Sequence, residues 1–522
     1  MINIDSKTVA VESSEELKET LEGNNEIETI YLAEDITLAR GISILASKKT
    51  ITIDGLYPTD GTGKIHTYTD MNSAGNGDTI GVRTASSINI TVQNLNVIGR
   101  NYYGLIYVAE GTAFQNVVVT YKNLTYKGPQ ITYHPSGLSI YQDLDITIEN
   151  STAAVANEVA ETYQLQIGGK TKINHNSTGN STFWFRGSAN LPYLEILEGA
   201  EVSITTTRDV IYTTNYVKIL VDKKANFTID TKYGFFRDNG HQASSILVDE
   251  ESLFSVTQTQ TNGGYAMISC RENFTVNEKA TLLLKADFFT TSPLIRFTTS
   301  SAKFDITNPQ SVILYNKTGL CFTFQNTTTV NITTGRIDYW LTSPALSDTG
   351  EITEDALYSW SKSTQNNIAI NATVTNSNTT INSNNLTSEE IAKLPSLDLL
   401  KLQTVKTLRL MPFGNLELQN APTKIEFQRQ ILQTDPVILG RKDEIMTVTV
   451  LDSRVLNSEW YLYAYVDTPL MTSDERYSLP ESLIFIGDDN NIETLSKELT
   501  LVYTGERKWR QNKNNYNNMA TE

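Results

Sequence analysis

Asp143-Leu144-Asp145, in the stretch YQDLDITIEN, is the nearest this sequence comes to a catalytic pair. Two carboxylates on one strand face could hold Ca²⁺ while an Arg or Lys takes the proton beside a substrate carboxylate, which is lyase chemistry on an acidic polysaccharide. No second acidic pair or Arg-Pro constellation stands at a suitable spacing, and Asp54 and Asp305 are isolated by the same test. An exposed polar face is therefore the favoured reading. Hydrolysis of a glycosidic bond would need two or three clustered carboxylates, and the Asn-Thr-Asp and Gly-His-Gly signatures of such sites are missing. His66, His134, His175 and His241 each stand alone in polar context, so exposed or turn histidines are expected, with no metal site and no His-based triad. No catalytic residue, metal or cofactor is assigned.

Binding chemistry is better represented. RNYYGLIY sets Tyr102, Tyr103 and Tyr107 after a corner, and FWFRG sets Trp184 between Phe183 and Phe185 with Arg186 following. On a strand the two Phe point one way and Trp184 the other. Arginines recur at what read as similar coil positions: Arg186, Arg208, Arg237, Arg271 and Arg296. Such residues could hold a glycan by stacking and hydrogen bonding, so Tyr102, Tyr103, Trp184, Arg186, Arg208 and Arg237 are the candidate ligand contacts. The plainer reading, arginines paired with the acidic excess on solvated faces, is favoured.

The elements that would position these residues repeat along the chain. NLNVIGR at Asn94 recurs as NLTYKGP at Asn123, and ILEGAEVSI, VDKKANFTI, VDEESLFSV and VNEKATLLL follow at offsets of 25, 27 and 28 residues. Each phrase is a polar turn followed by an apolar-polar-apolar strand. That period fits one coil of a solenoid and is too short for a propeller blade. The fold class is all-β: a right-handed parallel β-helix of roughly ten to twelve coils, then a small antiparallel β-sandwich. SSEELKETLEG reads as a helix with a Ser13–Glu16 capping box and Gly23 at its end, so 1–25 caps the solenoid. Residues 26–345 form its coils and 346–398, rich in Asn, Thr and Ser, a terminal coil and linker. Residues 399–506 supply the sandwich strands, and 507–522 abandon strand alternation. Cys270 and Cys321 fall two coils apart, about 9.6 Å at ~4.8 Å per coil, beyond the ~7 Å reach of a disulfide. Two free, buried thiols are expected.

Composition excludes some partners. With 42 Lys and Arg against 59 Asp and Glu, the net charge of −17 repels a phosphate backbone, and no apolar run of about 18 residues could span a membrane. Neither a nucleic-acid partner nor a membrane span is expected.

The phrases TIYLAEDITL, KKTITIDG, NITVQNLNVIGRNYYGLIYV and VVVTYKNLTYKGPQITYHPSGL resemble the pectate-lyase-like adhesive domain of Gram-positive surface proteins over about residues 5–340. That resemblance implies an adhesive β-helix, with no lyase residues to carry over. LRLMPFGNLELQNAPTKIEF and VLDSRVLNSEWYLYAYV resemble the WxL wall-binding module, Trp460 and Leu462 belonging to its Trp-x-Leu motif. The implied partner is peptidoglycan, with a glycan or host surface as ligand of the β-helix; the place is the cell-wall surface. Trp460 and Leu462 also read as one core face of a strand. A second Trp motif is missing. Met519-Ala520, encoded ATG-GCN, reads TGG one base later, so 507–522 are expected to be a frameshifted end, and Met1, without an apolar leader, a truncated start. The competing class is a polysaccharide lyase or depolymerase, and a third reading is a passive spacer. Three carboxylates in one groove, or paired carboxylates within ~4–6 Å of an Arg, would favour the enzyme. A smooth Thr/Asn face would favour adhesion.

Overall fold

The computed structural model of the chain describes residues 1–412 except 59–60, 62, 85–86, 187–190, 262, 349 and 363–365. After 412 it describes 416–421, 448–452, 459–468, 470–471, 476, 478–479, 483–486, 492–498 and 500–506. The expected aberrant tail, 507–522, lies outside the described residues.

Alternation fixes the solenoid. In Thr50–Asp54, Ile51 and Ile53 point inward, and Ile53 lies in register with Val92, Tyr121, Tyr141, Ile167 and Ile196 of successive turns. The column continues through Val221, Val248, Val276, Ile306 and Ile332. All are buried, so a slip of one residue anywhere would turn an apolar rung to water. Three parallel sheets built this way wind through about eleven turns.

Corners between the first and second sheets share a left-handed residue: Asn94, Asn123, Asp143, Gly169, Gly199, Lys224, Glu251, Lys279 and Asn308, with φ from 42° to 69°. Asn and Asp tolerate that conformation, which accounts for the polar turn in each repeated phrase. Asp143 is therefore a corner residue and not a strand-face neighbour of Asp145; its Oδ1 accepts the Lys170 N–H at 2.9 Å. At Gly55 an added Cβ would meet the Asn94 carbonyl oxygen at 2.2 Å, so only glycine fits that approach.

Both ends are covered. Helix α1, Ser14–Glu22, buries Leu17 and Leu21, and Ser13 Oγ accepts the Glu16 N–H. The capping box stays open, because the Glu16 carboxylate takes the Glu12 N–H instead. At the far end Ile368–Val374 pairs antiparallel with the final first-sheet strand, Thr328–Thr334, and Thr407–Met411 closes antiparallel on Ser311–Asn316 and Arg336–Trp340. Ile368, Ile370, Ala372, Val374, Leu408 and Leu410 face the core. The region read as a linker is thus a folded cap, and the boundary falls at Pro412/Phe413, not at 398. Alternation with small residues, in IAINATV, hid this strand among the asparagines. Buried Asp338 fastens the cap, its Oδ1 accepting from Arg336 Nε at 2.6 Å and its Oδ2 from Arg409 Nη2 at 2.6 Å.

Cys270 and Cys321 are free and buried, two turns apart through the register Cys270–Phe297–Phe324. Burial pushes Cys270 up to about 12 and Cys321 well above its ordinary value. The histidines depart from expectation: His66, His134 and His175 are buried. His134 and His175 occupy inward strand positions, with Nδ1 3.2 Å from Ser139 Oγ and 2.9 Å from Thr206 Oγ1 respectively. Burial lowers them to about 3 and 4, so both stay neutral.

The second unit, residues 413–522, shows four antiparallel pairs among its described residues. Leu416–Asn420 pairs with Thr449–Asp452, Glu459–Ala464 with Thr500–Glu506, Leu470–Met471 with Ser478–Leu479, and Leu483–Ile486 with Ile492–Leu495. How these pairs pack as the expected sandwich rests on residues outside those described. The LRLM read as the opening of this unit belongs to the solenoid cap.

Candidate functional site: an outward row on the third sheet

Most third-sheet strands are three-residue pieces whose ends point inward around one middle residue, and the starts of Thr132–Ile148 and Ala160–Gly168 add two more turns to that sheet. Phe183–Phe185 buries both phenylalanines and leaves Trp184 facing out. Register places Tyr107, Tyr133, Glu161, Trp184 and Tyr212 in one row, one per turn. Arg237 follows, next to Phe236, which bridges to Ile211. Five steps at the strand spacing make this row about 24 Å long.

The rings are held by each other and by cations. Tyr107 and Tyr133 stack at 5.3 Å, and Arg83 lies 5.5 Å from the Tyr107 centroid. Tyr103 meets both rings edge-on, at 5.6 and 5.1 Å, and packs on Tyr102 at 4.6 Å. Further along, Arg186 covers Trp184 at 5.1 Å, Trp184 meets Tyr212 at 5.3 Å, and Arg237 covers Tyr212 at 5.0 Å. Tyr107 and Tyr133 stack, Tyr103 and the Trp184–Tyr212 pair meet edge-on, and the Trp184 Nε1–H is buried without a hydrogen-bond partner among the described residues. Partly exposed rings, phenol hydroxyls and guanidinium groups are what this row offers a ligand.

Charge concentrates at its centre. Arg186 donates to Glu161 at 2.5 Å and reaches Glu110 at 3.1 Å. Burial outweighs the ion pair at Glu161 and raises its carboxyl, while at Arg186 the pair with Glu161 outweighs burial and strengthens the cation. Glu158, buried with Oε2 lacking a hydrogen bond, is pushed up to about 7, chiefly by burial. Burial and the Glu161 charge lift Tyr133 to about 12, and a hydrogen bond that Tyr103 shares with Tyr102 raises Tyr103, so both phenols stay protonated. Two carboxylates on one arginine is the pairing that sequence reasoning reserved for an enzyme. Among the described residues no group of three His, Cys, Asp or Glu could hold a metal ion.

The row unites Tyr102, Tyr103, Trp184, Arg186 and Arg237 of the sequence candidates. Arg208 stands apart, over Tyr233 at 5.0 Å and 3.6 Å from Asp209, at the corner between the second and third sheets. The arginines do not share one coil position: Arg186 and Arg271 each follow a strand end, whereas Arg296 is the outward centre of Ile295–Phe297. Arg271 lies over Tyr216 at 4.3 Å and donates to its hydroxyl, and Arg296 donates to the Asn239 carbonyl at 3.2 Å. Tyr133, Glu161 and Tyr212 escaped the sequence reading, as did Arg83, Glu110 and Glu158. Asp143 and Asp145 line a separate open pocket with Lys170 and Lys172.

In the second unit Trp460 is buried against Tyr503, rings 5.4 Å apart, and Leu462 is half-buried on the same strand face. Tyr461 and Tyr463 are exposed on the other face. Among the described residues no helix is long and apolar enough to cross a membrane.

Residues 8–133 match a protein family described as "Putative pectate lyase-like adhesive domain". No curated protein matches the chain. Among solved structures, the L. reuteri 53608 SRRP overlaps at 16% identity and a TM-score of 0.35, covering 57% of this chain and 99% of its own. The SRRP described as L. reuters 100-23 overlaps at 16% identity and 0.32, covering 62% and 97%.

Proposed function

We propose that the chain is a non-enzymatic cell-surface adhesin whose third-sheet row binds a glycan. The observation that carries this reading is the in-register row from Tyr107 to Arg237, which aligns Tyr107, Tyr133, Trp184 and Tyr212 on one outer face with Arg83, Arg186 and Arg237 packed against their rings. Its repeat is about the length of a sugar unit in an extended polymer. The adhesive-domain match supports the reading, because residues 8–133 include Arg83, Tyr102, Tyr103, Tyr107 and Tyr133. Protonated phenols and guanidinium groups are donors suited to ring oxygens and hydroxyls. Binding of the full chain to a glycan array is the test, with the Tyr107→Ala/Tyr133→Ala double variant beside it. Loss of array signal with the variant still folded and its thermal midpoint only modestly lowered is expected; an unchanged array pattern would refute the assignment of the row.

In the same proposal the second unit attaches the protein non-covalently to peptidoglycan through a module of the WxL kind, with buried Trp460 and half-buried Leu462 holding its fold. Co-sedimentation of the full chain with purified cell-wall sacculi, and its loss in a chain ending at residue 412, checks this.

A second reading, a polysaccharide-cleaving enzyme, is favoured by one observation: Arg186 holds Glu110 and Glu161, with Glu158 protonated near neutrality nearby. Against it, the Arg186 ion pairs occupy two of the acids and burial closes off the third. New reducing ends or 4,5-unsaturated products from any bound glycan would establish cleavage.

A further inference from the structure

The strand by which the chain leaves the solenoid does not lie on an edge. Thr407–Met411 is inserted between Ser311–Asn316 and Arg336–Trp340, antiparallel to both, with four register pairs on one side and five on the other. Its outer neighbour is itself backed by Tyr358–Ser361. The main chain is gripped at both ends of the strand. Before it, the Asn316 N–H donates to the Lys406 carbonyl at 3.0 Å and the Lys406 N–H to the Trp340 carbonyl at 3.0 Å. After it, Thr334 Oγ1 donates to the Met411 carbonyl at 2.8 Å, immediately before Pro412, where the first unit ends.

Side chains lock the slot. Leu408 and Leu410 are fully buried in the core. Arg409, between them, is the register partner of Asp338 and meets its Oδ2 through Nε at 3.0 Å and Nη2 at 2.6 Å. The Trp340 ring lies 5.3 Å from the guanidinium, and Asp338 is wholly buried, so the pair is shielded from water. A terminal strand on an edge can be peeled one hydrogen bond at a time. Extraction of an inserted strand breaks two ladders, exposes two leucines and takes a cation from a buried carboxylate. The same cap holds the contrasting case: among the described residues Thr379–Asn384 has one ladder only, to Ile368–Val374, and Asn382 is exposed.

We propose that the inserted strand is a load-bearing latch. Tension arriving from beyond Pro412 enters the solenoid through Thr407–Met411 and is held there by both ladders and the Asp338–Arg409 pair. The inference rests on the reading of the second unit as the wall attachment, since a protein fixed there and bound elsewhere carries such a load.

Single-molecule force spectroscopy on the full chain tests it. One handle sits on Lys218→Cys, exposed in mid-solenoid, and the other either on the C-terminal residue or on Asn382→Cys. The native thiols are buried and do not compete. At equal constant load the first unit should stay closed at least about tenfold longer when pulled from the C-terminus than from Asn382. Opening of the second unit, in series with the latch, is set apart by the length it releases. Arg409→Gln should shorten the lifetime under C-terminal load about tenfold and leave the Asn382 lifetime unchanged, whereas a merely structural role would shorten both alike. Equal lifetimes in the parent, or equal shortening in the variant, overturns the inference. Co-sedimentation with sacculi remains a separate measurement. Absence of wall binding with unequal lifetimes discards the attachment and keeps the latch; wall binding with equal lifetimes discards the latch alone.

Discussion

Phe227 and Phe254 stack 5.6 Å apart inside the solenoid, and Tyr107 and Tyr133 stack 5.3 Å apart on its outside. The same turn-to-turn spacing produces both pairs. Inside, Phe235 closes edge-on upon Phe254 at 5.5 Å, and Phe297, Phe304, Phe322 and Phe324 extend the packing through later turns. Every face and edge there meets carbon. Outside, the rings meet a neighbouring ring or a guanidinium and stay only partly covered. The difference separates two duties on one backbone: interior rings hold the turns together, and exterior rings can be exchanged with little loss of fold.

The comparison breaks most sharply at Phe254. Phe254→Ala is expected to cost about 3–5 kcal/mol, from lost transfer energy and the cavity left behind. Chemical denaturation would show it, and a loss below about 1 kcal/mol would mean that the interior stack is dispensable.

Protons sharpen the contrast next. Glu158, beside the outer row, has its carboxyl raised to about 7, so the native state holds that proton where the unfolded chain has released it. Its contribution to stability is therefore present below about pH 4.5 and lost as pH rises to about 7, roughly 3 kcal/mol over the window. His134 and His175, inside, are lowered to about 3 and 4, and each has the opposite sign. Each costs stability as pH falls below about 6.5, because only the unfolded chain gains the proton there. Relative to the parent, Glu158→Gln should therefore gain stability as pH rises from 5 to 7, read from denaturation midpoints at several pH values. A parallel pair of curves would contradict the assignment.

Removing an exterior ring should matter less to the fold. Tyr133→Ala is expected to cost about 1 kcal/mol of stability, the scale of an aromatic pair, while weakening glycan binding more than that figure implies. Smallest is a corner change. Lys279 sits at φ 57°, where a side chain is strained, so Lys279→Gly should stabilise by about 0.5 kcal/mol after the glycine's own entropy cost. A drop in thermal midpoint would show that its 3.8 Å contact with Glu251 matters more than backbone strain.

Much of the winding could be read from the chain. Ile51 and Ile53, the repeated corner phrases and the cysteine separation are local or periodic signals, and each survives variation in coil length. The outward row has no such signal. Its members Tyr107, Tyr133, Glu161, Trp184 and Tyr212 stand 26, 28, 23 and 28 residues apart, each a single residue between two buried ones that are often Thr or His and so carry no apolar signal. Only register brings them together, and register follows from corner lengths that vary turn by turn. Trp184 and Arg186 were legible because they are adjacent in sequence; Glu161 reaches Arg186 from the preceding turn. The cap was missed for a related reason, since Ala369 and Ala372 weaken the alternation that Ile368, Ile370 and Val374 carry.

The two buried thiols give this molecule a clock. A stacked solenoid is held by contacts between adjacent turns, so its end turns can open without the rest. Cys270 and Cys321 report on different turns near that end, and neither can be alkylated while its turn is closed. Pulse alkylation read by mass would time the order in which the turns part, with no label added and no residue replaced.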